Sequence, residues 1–271
     1  MTILAIGTRG DVQPAIAVGK ALQGRGHHVR LLAGANFADW IRSHGLEAAP
    51  SAVDMQALME GPLGQEWMHS GQHPIRQGRL MKRLVSEMAP DMLRDCWAAC
   101  QDAEAIVSSF TTDVAATALV EKTGARHISM WLQPSLIATR DGRVLNDGPR
   151  PDRLSWLNWL FTKLIIEGFT WSMQGAHVNR FRREALGLPP QSRRENLAAQ
   201  ERALVLHGYS RHVAPRAVDW PANRHVTGYW FLNEGGDWQP PAGLEDFLAA
   251  GPPPVAIGFG SATGRDAAAF S

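Results

Sequence analysis

The sequence has no excess of charge of either sign and contains very little cysteine. Its 27 lysines and arginines are balanced by 26 aspartates and glutamates, which leaves a formal net charge of +1. Domains that bind nucleic acid usually carry a clear basic excess, so this balance argues against a nucleic-acid partner. The two cysteines, Cys96 and Cys100, have no second pair to complete a zinc site. We interpret them as reduced thiols of a cytosolic protein.

The sequence also lacks an uninterrupted apolar run that could cross a membrane. The most apolar stretch, residues 154–173, is interrupted by Lys163 and Glu167, which disfavours a transmembrane helix. Two interpretations stay open for it: a helix buried around most of its circumference, which is the favoured one, or a helix lying on a membrane surface. An apolar strand begins at Thr2 and leaves no room for a cleavable signal peptide. The sequence therefore predicts a cytoplasmic protein, with peripheral membrane contact as a second option.

Two common phosphate-binding motifs are missing from the N-terminus. Residues 2–6 are typical of a β-strand, two glycines follow, and Pro14 is expected in the first turn of a helix. Strand, turn and helix open a βαβ unit, whose ligands lie at the carboxyl ends of the strands. A dinucleotide fingerprint would need glycine where this chain has Arg9 and Val12, and the ending of a P-loop is absent as well.

Short apolar segments alternate with helical patterns along most of the chain. This rhythm predicts an α/β fold with a Rossmann-like parallel sheet and helices on both faces. The expected strands are residues 2–6, 28–33, 46–49, 105–108, 126–131, 203–207 and 225–228. Residues 51–74 mix glycine and proline with large apolar side chains. We predict a long loop there, which either binds a ligand or packs on its own domain.

The segment GTRGDVQP, residues 7–14, resembles the N-terminal signature of GT-B glycosyltransferases. The matching branch, of the family 28 type, contains sterol glucosyltransferases and antibiotic glycosyltransferases. The resemblance implies transfer of a sugar, with inversion, from a UDP- or TDP-sugar to a hydroxyl of a lipophilic acceptor such as a sterol, lipid or polyketide. It implies Asp11 as general base, with no metal and no further cofactor. The rest of the turn would face the donor: Gly7, Thr8, Arg9 and Gly10.

The last residues resemble the first strand of the second Rossmann-like domain in the same family. This segment, residues 255–261, has the sequence VAIGFGS, and a glycine- and proline-rich stretch precedes it. We therefore expect an acceptor-binding domain at 1–232, a linker at 233–253 and a truncated start of a donor-binding domain at 254–271. Gly260 and Ser261 would face the donor. By this resemblance the nucleotide sugar is held mainly by a domain outside this chain, and the fragment alone is inactive.

Asp11 has two interpretations. Acid at the start of a helix often caps it by accepting backbone N–H bonds, whereas sugar transfer needs a base within reach of the acceptor hydroxyl. The matching octapeptide favours the base. In related plant enzymes an aspartate after the fourth strand pairs with a catalytic histidine. The corresponding place here is near Ser109 or Phe110, and Asp113 is interpreted as a first-turn helix acid.

Several large side chains are candidates for lining an acceptor pocket, although each could equally belong to the core. They are Trp67, Met68, Phe110, Trp131 and Gln133. His69 and His73 have the spacing of a metal pair, but Gly71 and Pro74 argue against the helix that would align them. Two other functions are considered: a non-catalytic helper subunit that binds a lipid or a partner, and, more weakly, a dinucleotide-dependent enzyme.

Overall fold

The computed structural model describes residues 1–70, 73–133, 139–141, 155–163, 167–233 and 239–256. The chain divides into two compact units, Met1–Phe231 and Leu232–Ser271. The described part of the second unit contains one short helix, Leu244–Ala249. The sequence predicts a brief helix at the same residues, within the glycine- and proline-rich stretch. The functions assigned to the domains from the sequence stay predictions.

The first unit is organised around a parallel sheet with strand order β3-β2-β1-β4-β5-β6-β7 in the described part of the chain. The strands are β1 Thr2–Leu4, β2 Arg30–Leu32, β3 Glu47–Ala48, β4 Ala105–Ser109, β5 Arg126–Trp131, β6 Leu204–His207 and β7 Arg224–Val226. The central strands are almost continuously buried, as is typical of parallel sheets with both faces covered. The α/β, Rossmann-like prediction is confirmed.

Helices connect the strands and surround the sheet. They are α1 Arg9–Gln23, α2 Ala38–Ser43, α3 Met55–Glu60, α4 Pro62–His69, α5 Pro74–Cys100, α6 Asp113–Thr123, α7 Ser155–Phe161, α8 Glu167–Phe181 and α9 Arg193–Arg202. A 3₁₀ turn, Ala35–Phe37, precedes α2, and a π-helical turn, Arg182–Leu186, follows α8.

Neighbouring residues of β1 show that helices cover both faces of the sheet. A methyl group added to Gly19 of α1 would lie 3.6 Å from Cδ1 of Ile3. Leu4 belongs instead to a buried cluster with Met92 and Leu93 of α5. Because successive side chains of a strand point to opposite faces, α1 and α5 lie on opposite sides of the sheet.

The predicted loop at 51–74 is wrong, because two short helices occupy most of it. The side chain of Asp54 accepts a 3.0 Å bond from the Ala57 N–H and begins α3. Pro62 begins α4 at the first helical position, where its missing N–H costs nothing. Gly61 and Pro62 lie at the boundary between the two helices and do not prevent either from forming.

Two further helix predictions need correction, and one helix was not predicted. The first helix begins at Arg9, so Pro14 lies inside α1 and not in its first turn. The sequence predicts a helix over residues 76–88 and a restart at Pro90, but α5 continues through Pro90. The helix α9 was missed, although Ser192 and Glu195 form the capping box that begins it.

Candidate functional site

The strand order of the sheet reverses at β1, where the segment that follows β1 and the segment that follows β4 lie side by side. From β1 the chain continues to β2 on one side, while β4 pairs with the other side of β1. Ligands of open α/β sheets bind outside the carboxyl ends of the strands at such a switch point. The turn from residue 5 to residue 8 leaves β1 there and leads directly into α1. The structure therefore places Asp11, the third residue of α1, beside the switch point.

The carboxylate of Asp11 is half-buried and held by the residue that precedes α1. Its Oδ2 accepts a 2.8 Å bond from the N–H of Thr8 and a 3.3 Å bond from the Thr8 hydroxyl. Burial raises the pKa of Asp11 above its ordinary value, and the two bonds from Thr8 oppose this shift. The helix-capping contact considered for this residue is thus present, and it engages one of the two carboxylate oxygens.

The backbone before Thr8 is held from the β4 side. The Thr111 hydroxyl donates a 2.5 Å bond to the carbonyl of Ile6, and the Thr112 hydroxyl donates a 3.0 Å bond to the carbonyl of Leu4. Both threonines follow β4 directly. Side chains that follow β4 therefore fix the backbone at the end of β1, from which the chain leads to Asp11.

Gly7 is required because Asp11 lies directly on it. A Cβ atom on Gly7 would be 2.2 Å from Oδ2 of Asp11. Gly10 has no such restriction, since its Cβ would meet only the Thr8 hydroxyl at 3.7 Å. Of the four turn residues predicted to face the donor, Gly7 and Thr8 contact Asp11 in this structure.

Arg9, the first residue of α1, is exposed and turned toward α2. Its guanidinium carbon lies 4.9 Å from the centre of the Trp40 ring, and its Nε donates a 3.2 Å bond to Gln13. A guanidinium above an aromatic face is held by attraction to the ring quadrupole. Arg9 therefore presents its charge at the rim of the sheet, beside the turn.

Asp113 is the first residue of α6 and is buried in a polar cluster. It accepts a 2.6 Å bond from Ser108 and a bond from Ser129, and Nε2 of His127 lies 3.4 Å from it. Burial favours the neutral acid, but His127 and the serines outweigh it and lower the pKa of Asp113. Asp113 thus fastens α6 to β4 and β5. The first-turn position predicted for it is confirmed.

The acceptor candidates fall into separate groups. Phe110 and Trp131, which follow β4 and end β5, pack edge to face with ring centres 5.7 Å apart. Gln133 is exposed two residues beyond Trp131. Trp67 and Met68 are half-buried on α4. Gly260 and Ser261 lie outside the described residues. Only the pairing of Phe110 with Trp131 could be anticipated, because β4 and β5 are sequence neighbours in a parallel sheet.

A small pocket opens behind Trp131, between helices that the sequence did not bring together. It is lined by Trp131, Val114 of α6, Trp171 of α8, and Asn196 and Leu197 of α9. Because α9 was not predicted, two of these residues were missed. The capping box at its start is the signal that could have found them.

A second group of side chains, at the end of β6, was also missed. His207 stacks on Trp220 with ring centres 4.5 Å apart, and Tyr209 lies 5.3 Å from it. All three are buried, and within the described ranges the Tyr209 hydroxyl and the Trp220 N–H have no hydrogen-bond partner. Burial, with a smaller effect of Arg224, lowers the pKa of His207 to about 4.

The described residues contain neither a metal centre nor a transmembrane helix. Among the described residues, no three or more histidine, cysteine, aspartate or glutamate side chains are grouped so that they could hold a metal ion. In the same ranges, every helix is too short or too polar to cross a bilayer.

The N-terminal part of the chain matches a known family. Residues 1–121 match the model of the glycosyltransferase family 28 N-terminal domain. These residues belong to that family. The family 28 region contains β1 to β4 and most of α6, and with them Asp11 and the turn before it. The family that residues 7–14 indicate is confirmed.

Curated relatives extend the similarity beyond the family 28 region. The sterol 3-beta-glucosyltransferase of Aspergillus fumigatus is 30% identical over 276 residues, which cover 100% of this chain and 19% of that protein. The sterol 3-beta-glucosyltransferase of Pichia angusta is 34% identical over 268 residues, which cover 96% of this chain and 20% of that protein. The chain thus spans about a fifth of the length of these relatives.

Solved structures share the fold. The glycotransferase of kitacinnamycin matches with a TM-score of 0.52 at 19% identity, over 89% of this chain and 55% of that one. The calicheamicin glycosyltransferase matches with a TM-score of 0.52 at 14% identity, over 89% and 53%. At these identities the likeness is one of fold. The chain thus resembles sterol 3-beta-glucosyltransferases in sequence and shares its fold with these two glycosyltransferase structures.

Proposed function

We propose that this chain is the acceptor-binding part of an inverting glycosyltransferase that moves a sugar from a UDP- or TDP-sugar to a hydroxyl of a sterol-like, lipid or polyketide-like acceptor. The observation that carries the proposal is Asp11, a half-buried carboxylate of raised pKa beside the switch point of the sheet. The names of the relatives, sterol 3-beta-glucosyltransferases, support the class of acceptor.

In the proposed reaction Asp11 acts as the general base. The acceptor hydroxyl attacks the anomeric carbon of the sugar as its proton passes to the Asp11 carboxylate. The bond from that carbon to the phosphate oxygen breaks, and the nucleoside diphosphate leaves with the electron pair. A pKa that burial raises toward neutrality suits this role, because a base transfers protons best when its pKa is near the working pH. The step needs no metal and no further cofactor.

The acceptor is proposed to lie along the carboxyl ends of β4 and β5. Phe110 is partly exposed and packs on Trp131, so the two rings offer an apolar surface on the same edge of the sheet as Asp11. Flat lipophilic molecules bind well to such surfaces. Trp67, Met68 and Gln133 remain proposed members of this site on the strength of their residue types and positions.

The donor is proposed to be bound mainly by polypeptide beyond this chain. In this proposal residues 1–232 bind the acceptor, residues 233–253 link two domains and residues 254–271 begin the donor-binding domain. Gly7, Thr8, Arg9 and Gly10, with Gly260 and Ser261, would then border the donor. Calorimetric titration of the 271-residue chain with UDP-glucose and with TDP-glucose tests this division, since binding of either to the chain alone contradicts it.

A peripheral contact with a membrane is proposed as well, for a protein that works in the cytoplasm. Trp156 and Trp159 lie on one side of α7 and are 56% and 41% exposed. Phe169 of α8, 44% exposed, lies against Gly78 of α5. Exposed aromatic side chains favour the membrane–water interface. Flotation of the chain with lipid vesicles tests the contact.

The role of Asp11 is tested in the complete protein by Asp11→Asn. Loss of the base is expected to lower kcat by about 10²- to 10⁴-fold, with little change in unfolding temperature. Asp54→Asn is the matched control, because asparagine also caps helices well. Unchanged transfer in Asp11→Asn, with the fold intact, removes Asp11 as the base. Binding of a sterol without any transfer by the complete wild-type protein would favour the helper subunit.

A further inference from the structure

We propose that Thr8 is a positioning residue that holds Oδ2 of Asp11 and leaves Oδ1 as the oxygen that takes the acceptor proton. This inference rests on the proposed function of Asp11. It begins from the geometry of the turn, in which both bonds from Thr8 reach the same carboxylate oxygen, at 2.8 Å from the N–H and 3.3 Å from the hydroxyl.

The other oxygen is kept available. Among the residues that the structure describes, no hydrogen bond from another residue reaches Oδ1 of Asp11. A carboxylate held by one oxygen cannot rotate freely about its χ2 torsion, so the remaining oxygen keeps one direction. Preorganising a reacting group in this way reduces the entropy lost when the substrate is brought to it.

Gly7 and the threonines after β4 complete the arrangement. The carboxylate can reach the Thr8 N–H only because Gly7 has no Cβ, which would be 2.2 Å from Oδ2. The Thr111 hydroxyl holds the carbonyl of Ile6, the residue before Gly7. The backbone under the carboxylate is therefore fixed from a neighbouring strand.

The two hydrogen bonds from Thr8 are the principal contacts that favour the ionised form of the Asp11 carboxylate. Arg9, the cation of the same helical turn, is directed to Gln13 and to the face of Trp40. Burial raises the pKa of Asp11, while the backbone and hydroxyl bonds of Thr8 are the leading opposing effects. Removing the hydroxyl is thus expected to raise the pKa further.

The experiment compares Thr8→Val with Thr8→Ser in the 271-residue chain. Valine has the shape of threonine without its hydroxyl, whereas serine keeps the hydroxyl. The Asp11 carboxyl carbon is followed by ¹³C NMR over a pH titration, and its signal is identified by its absence in Asp11→Asn. Thr8→Val is expected to raise the pKa of Asp11, and Thr8→Ser to keep it near that of the wild type. An unchanged pKa in Thr8→Val overturns the inference.

A second pair of variants tests the same contact from the backbone. Gly7→Ala is expected to displace the carboxylate and also raise the pKa of Asp11. Gly10→Ala is the control for this titration, because its methyl group meets only the Thr8 hydroxyl at 3.7 Å. Equal pKa values of Asp11 in the two variants count against the inference.

Kinetics of the complete protein separate positioning from a structural role. Thr8→Val is expected to lower kcat/KM about fivefold, the value of one hydrogen bond, and to move the acid limb of its pH profile upward. Thr8→Ser is expected to recover most of the lost kcat/KM and the pH profile of the wild type. If Asp11→Asn leaves transfer intact, the proposed function fails, whereas the NMR titration still reports whether Thr8 holds the carboxylate. A profile that does not move in Thr8→Val overturns the inference.

Discussion

His207 is a neutral side chain whose surroundings exclude the charged form. Its ring is fully buried and stacked on Trp220. Arg224 adds a positive charge nearby, so a proton on the ring would be opposed by burial first and by this charge second. A hydrogen bond with the backbone of Gln133 favours the proton but does not outweigh these two effects. The residue is therefore a point at which acid should weaken the fold.

We expect the free energy of unfolding to fall between pH 6.5 and about pH 4. Below its ordinary pKa of 6.5 the histidine of the unfolded chain binds a proton, whereas the folded protein binds it only near the lowered pKa of about 4. The folded state thus loses up to about 3 kcal/mol across this window and nothing further below it. Urea unfolding at several pH values measures the slope.

The matched variant is His207→Phe, which keeps an aromatic ring for stacking on Trp220 and cannot titrate. The part of the pH dependence that belongs to His207 should disappear in it. If the free energy of unfolding of His207→Phe falls between pH 6.5 and 4 as steeply as that of the wild type, other groups cause the effect.

The helices α1 and α6 are each followed by a glycine, but the two glycines have different backbone conformations. Gly124 follows α6 in the left-handed region, with φ of 74°, and its N–H bonds to the carbonyl of Val120. Gly24 follows α1 in ordinary helical conformation, with φ of −62°. Only the first end requires glycine, because a side chain in the left-handed region is strained.

We therefore expect opposite results from the same substitution. Gly124→Ala should lower the free energy of unfolding by about 1 kcal/mol, since nothing else lies within 4 Å of the new methyl group and strain is the sole cost. Gly24→Ala should be neutral or slightly stabilising, because alanine restricts the unfolded chain and fits the helical φ. Denaturant unfolding of both variants compares them. Equal losses would mean that the conformation of the glycine is not what matters.

At the scale of the whole molecule, the net charge is close to zero, but cationic side chains are concentrated on one helix. The N-terminal half of α5 carries four exposed cationic side chains, Arg76, Arg79, Lys82 and Arg83. On the same helix Gly78 lies against the exposed Phe169. Apolar rings beside cations are the combination that binds anionic lipid surfaces. Arg76 forms an ion pair with Glu66 at 2.8 Å. Arg79, Lys82 and Arg83 are therefore expected to supply most of the attraction to anionic lipid.

We expect the chain to float with vesicles that contain phosphatidylserine more than with neutral phosphatidylcholine vesicles. The double variant Trp156→Ser/Trp159→Ser should reduce binding to both kinds of vesicle. Arg79→Glu/Arg83→Glu should reduce binding only to the anionic kind. Val213→Ser/Val218→Ser is the control, since both valines are exposed in the segment between β6 and β7. Equal flotation of all variants would contradict the proposed contact.

Local patterns were sufficient wherever neighbouring residues in sequence decide the structure. The strand Arg126–Trp131 has the bounds that the sequence predicts, and the octapeptide at residues 7–14 correctly indicated the family. They were insufficient where packing overrides local signals. Pro90 is tolerated inside α5 because the helix keeps a buried face on both sides of it, at Leu84 and Met92. Residues 55–69 form helices despite their glycines and proline.

The sequence by itself determined the parallel sheet, the family and the position of Asp11 after the first strand, because alternating apolar periods and a contiguous motif are local information. Only the tertiary structure decided what surrounds that carboxylate. The hydroxyl of Thr111 reaches the carbonyl of Ile6 across 105 residues of chain, and α9 joins Trp131 and Val114 around one pocket. Such contacts depend on strand order and helix packing, which bring together residues that share no local pattern.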